Sequence, residues 1–142
     1  MKIELKGVIK MSKKPWLDLY PAEISPTLEY ERIPLQEYLT RSEKKYPDKV
    51  AMHFLGKEVT FKEFYDSSLK FANYLQALGI KRGDRVAIML PNCPQSAIAY
   101  YGILYAGAIV VHTNPLYTER DLKYQMNDSV STEIITLYIF YS

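Results

Sequence analysis

At 142 residues, 48% of them apolar, the chain is long enough to close one hydrophobic core and too apolar to remain disordered. A formal charge of +2, with acids and bases interspersed, leaves no electrostatic footprint for nucleic acid, and the single cysteine, Cys93, excludes an internal disulfide. The 13 tyrosines are spread along the chain with no basic cluster beside them, so they do not read as a base-stacking platform.

Met1 to Lys10 scatters lysines among its few apolar residues, lacks the apolar core of a signal peptide, and reads either as the product of an upstream start codon, with Met11 the ordinary start, or as a loose extension. Trp16 to Tyr30 is interrupted by prolines at 15, 21 and 26, which predicts an extended arm laid over the domain surface. Pro34 opens the first turn of a helix whose Leu35, Tyr38 and Leu39 share one face, ending near Tyr46. Val50 to Leu55 and Lys57 to Thr60 read as a β-hairpin turning at Gly56. Thr60 and Glu63 then form a capping box. Phe61, Phe64, Tyr65, Leu69, Ala72, Leu75 and Leu78 follow at helical spacing, and Gly79 closes the helix. That aromatic stripe is the pattern of core packing and not of a binding face.

Val86 to Leu90 is a continuous apolar run ended by Pro91, the pattern of a strand covered on both faces. Asn92 is placed to cap the next helix, with Gln95 completing a capping box, Ser96 to Ala106 as its body and Gly107 as its end. Ala108 to His112 is a second buried strand, so the stretch predicts a right-handed crossover between parallel strands. No charged residue lies between Val86 and Thr118, but the longest apolar piece, Ala97 to Val111, falls short of the ~20 residues a spanning helix needs. Thr118 caps a further helix reaching about Asn127, with Tyr117 and Leu122 at staple positions, and Glu133 to Leu137 begins a third apolar strand. Asn127-Asp128-Ser129 matches a glycosylation acceptor, incidental in a chain with no secretory signal.

Few residues carry chemistry. Cys93 sits at a helix start, where a dipole lowers a thiol pKa, yet no partner stands beside it in sequence and a small buried side chain is the plainer reading. His53 and His112 lack a second ligand at metal spacing and read as strand or strand-edge residues. Gly56-Lys57 has Ala51 where a P-loop needs its first glycine and Glu58 where it needs Ser or Thr. Gly79 and Gly83 precede a strand where a dinucleotide fingerprint follows one, and Asp84 and Arg85 read as a solvated turn pair. No residue is nominated as catalytic, cofactor-binding or metal-binding.

Two segments nevertheless carry a resemblance. VTFKEFYDSSLKFANYLQALGIKRGDRVAIMLPN and LPNCPQSAIAYYGILYAGAIVVHTNPLYTERDLKYQMND closely resemble the early part of the adenylate-forming superfamily and, within it, the bacterial long-chain fatty-acid:CoA ligases. The likeness spans roughly Lys14 to Leu137. It implies an α/β fold, a parallel sheet flanked by helices, forming the incomplete N-terminal part of an adenylate-forming domain. Residues 1–30 are then an extension and surface arm, and residues 31–142 the N-terminal part of the AMP-dependent synthetase/ligase domain.

The resemblance implies that the intact enzyme joins a fatty acid to ATP, releases pyrophosphate, and passes the acyl group from AMP to coenzyme A, with Mg²⁺ holding phosphates. The motifs the family uses for this are a Ser/Thr/Gly-rich loop ending in Lys, a Tyr-Gly-x-Thr-Glu segment, a ribose-binding Asp and a C-terminal catalytic Lys. None occurs between Met1 and Ser142. The expectation is a chain without cofactor or ligase activity of its own, with Asn114 or His112 lining a distant wall of the intact enzyme's pocket at most. The ending TLYIFYS departs from the family pattern and reads as a truncated product. A separate C-terminal polypeptide would complement it, and a standalone α/β binding module is the other reading. The expected location is cytoplasmic, with peripheral membrane attachment left open.

Overall fold

The computed structural model describes residues 14–25 and 27–137; the N-terminal extension and the final Tyr138–Ser142 lie outside the described residues. The chain divides into two units, Met1–Arg32 and Ile33–Ser142. Within the first, Pro15–Leu19 forms a short 3-10 helix, where an extended arm was expected throughout. Pro15 fixes the helical φ of its opening turn, and the Leu17 N–H reaches the Lys14 carbonyl at 2.9 Å.

In the second unit α1 (Leu35–Lys45) begins just after Pro34, whose extended ψ of 147° leaves it outside the helix as its N-cap. Strands β1 (Val50–Phe54) and β2 (Lys57–Thr60) pair antiparallel, with a register shift between Val50 and Met52. Their turn holds Leu55 at φ 47° and Gly56 at φ 77°, the two positive values of a type I′ hairpin.

α2 (Phe61–Ala77) starts where the capping box was expected. The Thr60 hydroxyl accepts from the Glu63 N–H at 3.2 Å, and the Glu63 carboxylate accepts from the Thr60 N–H at 2.8 Å and hydroxyl at 3.1 Å. These bonds, the backbone one foremost, hold the Glu63 carboxyl below the ordinary carboxylate range. Stabilisation from a depressed carboxyl pKa is complete above its unfolded value of about 4.3 and disappears as pH falls through the lower folded value. Titrating the urea midpoint from pH 6 downward will therefore show a loss of stability that Glu63→Gln reduces; equal pH slopes in the two proteins would rule out this source.

The main sheet is parallel, in the order β4-β3-β5, with β3 at Arg85–Met89, β4 at Ile109–His112 and β5 at Glu133–Thr136. Between β3 and β4 runs α3 (Pro94–Tyr105); between β4 and β5 runs α4 (Glu119–Ser129). Val86 through Met89 are all buried, as a central strand covered on both faces should be. β4 is not: Ile109 is 45% exposed and His112 also faces solvent, because β4 ends the row of strands.

α2 and α3 pack together on one face of the sheet and α1 packs against both. Val86, Ile88, Ala99, Ile103, Leu75 and Ala72 form the core there, with Val110 and Ile135 beside them. The closest helix contact lies at Ser68 and Gly102, where a Cβ on Gly102 would stand 2.8 Å from Phe71 Cδ1 and 3.0 Å from the Ser68 carbonyl oxygen. Alternation along the strands turns Ala87, Met89, Val111, Thr113, Ile134 and Thr136 to the other face. Since β4 and β5 flank β3 on opposite sides, right-handed crossovers place α3 on the first face and α4 on the second.

Tyr105 ties the end of α3 to α1. Its hydroxyl donates to the Gln36 carbonyl at 3.0 Å and lies 2.9 Å from Thr40 Oγ1, while burial pushes the phenol pKa up.

Candidate functional site

In an open parallel sheet, ligands bind outside the strand C-termini where neighbouring connections leave to opposite faces. Here that place lies between the ends of β3 and β4, since α3 follows the first and α4 the second. A cleft of about 330 Å³ occupies it, lined by Asn92, Cys93, Ser96, Tyr100, Tyr101 and His112.

The start of α3 shapes this cleft and differs from expectation. Cys93, not Asn92, is the N-cap, at φ −148° and ψ 163°, and no side chain caps the helix. Pro94 takes the first helical position with its φ already set, which moves Gln95 to the second position and rules out the expected box. The Cys93 carbonyl instead accepts from the Ser96 N–H at 3.0 Å.

The Tyr100 ring stacks on His112 with centroids 5.4 Å apart and planes 24° apart, fixing the imidazole at the cleft wall. Tyr101 meets Phe64 edge to face at 5.2 Å, and burial raises its phenol pKa. Register thus brings together Cys93 and His112, residues with no visible relation in the sequence. On the other side of Cys93 a depression of about 190 Å³ contains His53, whose Nδ1 is 3.4 Å from Glu58 Oε1 with both side chains well exposed. The arrangement is a polar–aromatic cleft that holds a free, half-buried thiol.

Other sequence candidates fall elsewhere. Asn114 is outside the cleft; its Oδ1 accepts from the Leu116 N–H at 3.0 Å and shapes the turn after β4. Lys57 sits in β2 opposite Phe54, so Gly56 and Lys57 belong to a hairpin and not to a helix N-terminus able to cradle phosphate. Asp84 is more than a solvated turn residue: its carboxylate accepts from the Lys81 N–H at 2.7 Å, fixing the turn into β3. Among the described residues no three His, Cys, Asp or Glu side chains come together as a metal-ligand set. A wider cleft of about 560 Å³ runs along α4 past Tyr117, Arg120, Tyr124 and Asp128, but its Asp121 is committed to the Thr118 cap at 2.7 Å. Among the described residues no helix is long and apolar enough to cross a membrane.

The fold is that of an adenylate-forming domain in part. Its likeness to the crystal structure of VinN has a TM-score of 0.72 at 27% identity, covering 78% of this chain and 29% of that one. The family described as AMP-binding enzyme matches residues 39–140, and the chain belongs to that family. It is 51% identical over 130 residues to a long-chain-fatty-acid–CoA ligase of Bacillus subtilis (strain 168), covering 92% of this chain and 23% of the relative. A ligase of the same description from Salmonella typhimurium is 44% identical over 130 residues, covering 90% and 23%. The chain therefore spans about a quarter of the length of these relatives.

Proposed function

We propose that these 142 residues are the N-terminal scaffold of a long-chain fatty-acid:CoA ligase, with residues 31–142 supplying the first part of the ligase domain and residues 1–30 an extension and arm. The observation that carries this reading is the 51% identity to the Bacillus subtilis ligase over 92% of the chain. The intact enzyme would take a fatty acid, ATP with Mg²⁺, and coenzyme A, and return acyl-CoA, AMP and pyrophosphate in the cytoplasm, with peripheral attachment to membranes as an option.

Adenylation needs donors and a cation around a triphosphate and stabilisation of charge developing at phosphorus. The described residues supply a sheet, a helix layer and a polar–aromatic cleft. As a polypeptide by itself the chain is accordingly proposed to be inactive, its part being to order the strands on which the rest of such a site is built.

A second reading, a complementation module that binds a separate polypeptide, is favoured by one observation. Beside β5 an apolar groove of about 310 Å³ runs between Phe71, Leu90, Ile98, Ile135 and Leu137. One experiment addresses both readings: palmitate-dependent exchange of pyrophosphate into ATP by the purified chain, alone and with a polypeptide covering the remaining length of a relative. No exchange alone and recovery on mixing is the expected result. Exchange by the chain alone would overturn the proposed inactivity, and failure to co-purify with the second polypeptide would remove the module.

A further inference from the structure

The helix on the second face of the sheet is held differently from those on the first. The inward stripe of α4 is Leu122, Gln125, Met126 and Ser129, at i, i+3, i+4 and i+7; none of the four is fully buried and two are polar. α2 buries Phe64, Ser68, Ala72 and Leu75, and α3 buries Ala99, Gly102 and Ile103.

Polar atoms on α4 and on the strands of this face of the sheet are also left over. Gln125 Nε2 donates to the His112 carbonyl at 2.8 Å, but Gln125 Oε1, Thr113 Oγ1 and Thr136 Oγ1 are buried without a hydrogen-bond partner. Thr113 is only 5% exposed. On the opposite face the buried Ser68 hydroxyl is satisfied, donating to the Phe64 carbonyl at 2.8 Å. The unpaired Gln125 Oε1 and Thr113 Oγ1 weaken the closed arrangement, because movement of α4 would return them to water.

The junction to β5 adds strain. Val130, the C-cap of α4, is held at φ 53° and ψ 39°, a left-handed conformation that a β-branched residue rarely adopts, and its side chain is 65% exposed. Opening would release it.

We propose that α4 is a hinged cover. It swings from the sheet about Val130 at one end and the Asn114–Tyr117 turn at the other, uncovering the C-terminal ends of β3, β4 and β5 on that face while the α1–α2–α3 layer stays packed. The row on that face is Met89 and Thr136, adjacent in register, with Thr113 beside Met89, where its N–H donates to the Ile88 carbonyl at 3.0 Å.

Hydrogen–deuterium exchange of the whole chain at low micromolar concentration tests this. Amides of Glu119–Ser129 will exchange about 100-fold faster than those of Phe64–Leu75 and Ala99–Ile103, as a sub-global opening requires. Thr113→Val keeps the side-chain volume, removes an unpaired hydroxyl and will slow α4 exchange about tenfold. Val130→Gly, which relieves the left-handed strain, will slow it several-fold. A single exchange rate shared by all three helices overturns the hinge. So does faster α4 exchange in Thr113→Val, which would make the hydroxyl an anchor.

Discussion

Gly102→Val will lower the stability of the fold by about 3 kcal/mol, a large part of the roughly 5–15 kcal/mol a domain possesses. Two of the three nearest neighbours a Cβ would meet at Gly102 belong to Phe71, but the third is the backbone carbonyl of Ser68, 3.0 Å away, which no rotamer change can move. α2 and α3 must therefore separate. Their separation loosens Ile103 and Ala99 against Val86 and Ile88, the residues at the centre of the core. For a domain of this size the melting temperature should fall by about 12 °C. Gly102→Ala recovers about 1 kcal/mol of helix propensity and should lose only about 1 kcal/mol net. Adding Phe71→Ala to Gly102→Ala removes the 2.8 Å contact with Cδ1, so the double variant should be less destabilised than the two single variants summed. A Gly102→Val protein with an unchanged urea midpoint would show that the helices are not in this contact.

The interhelical approach at Gly102 was not legible in the sequence. A glycine inside a helix shows its purpose only when the facing residue is known, and Ser68 lies on another helix. The same distinction separates the other successes and failures. Thr60 with Glu63, Gly79 at φ 95° and the buried run from Val86 were legible because their causes are local or periodic. The cap at Cys93 was missed because Pro94 decides the start of α3, and a proline at the first helical position outweighs a capping pair placed one residue earlier. β4 was read as buried because Ile-Val-Val looks the same at an edge as in the centre; strand order, which exposes Ile109, is tertiary information. The cleft with Cys93 and His112 follows from the parallel register of β3 and β4, in which Ile88 faces His112, and no residue spacing announces it.

The free side of β5 should make the isolated chain self-associate. Among the described residues β5 pairs only with β3, leaving one row of its backbone donors and acceptors unmatched. Natural edges are blunted by lysine, proline or inward charge, and Glu133-Ile134-Ile135-Thr136 has only Glu133, at its beginning. The apolar groove alongside, between Phe71, Leu90, Ile98, Ile135 and Leu137, adds hydrophobic area to the same margin. A second copy approaching this margin would join strand to strand and groove to groove in one motion, the self-complementary geometry of a two-fold interface. Sedimentation velocity between about 1 and 100 µM should therefore show mass rising with concentration. Leu137 is half-buried at the end of the strand and outside the core cluster, so Leu137→Lys tests the margin without emptying the interior. Burial of one leucine contributes about 1.5–3 kcal/mol and a two-fold contact uses it twice, so the substitution should weaken association at least 100-fold. A monomer across the whole range, or association indifferent to Leu137→Lys, would mean that this edge is protected in a way its strand pairing does not reveal.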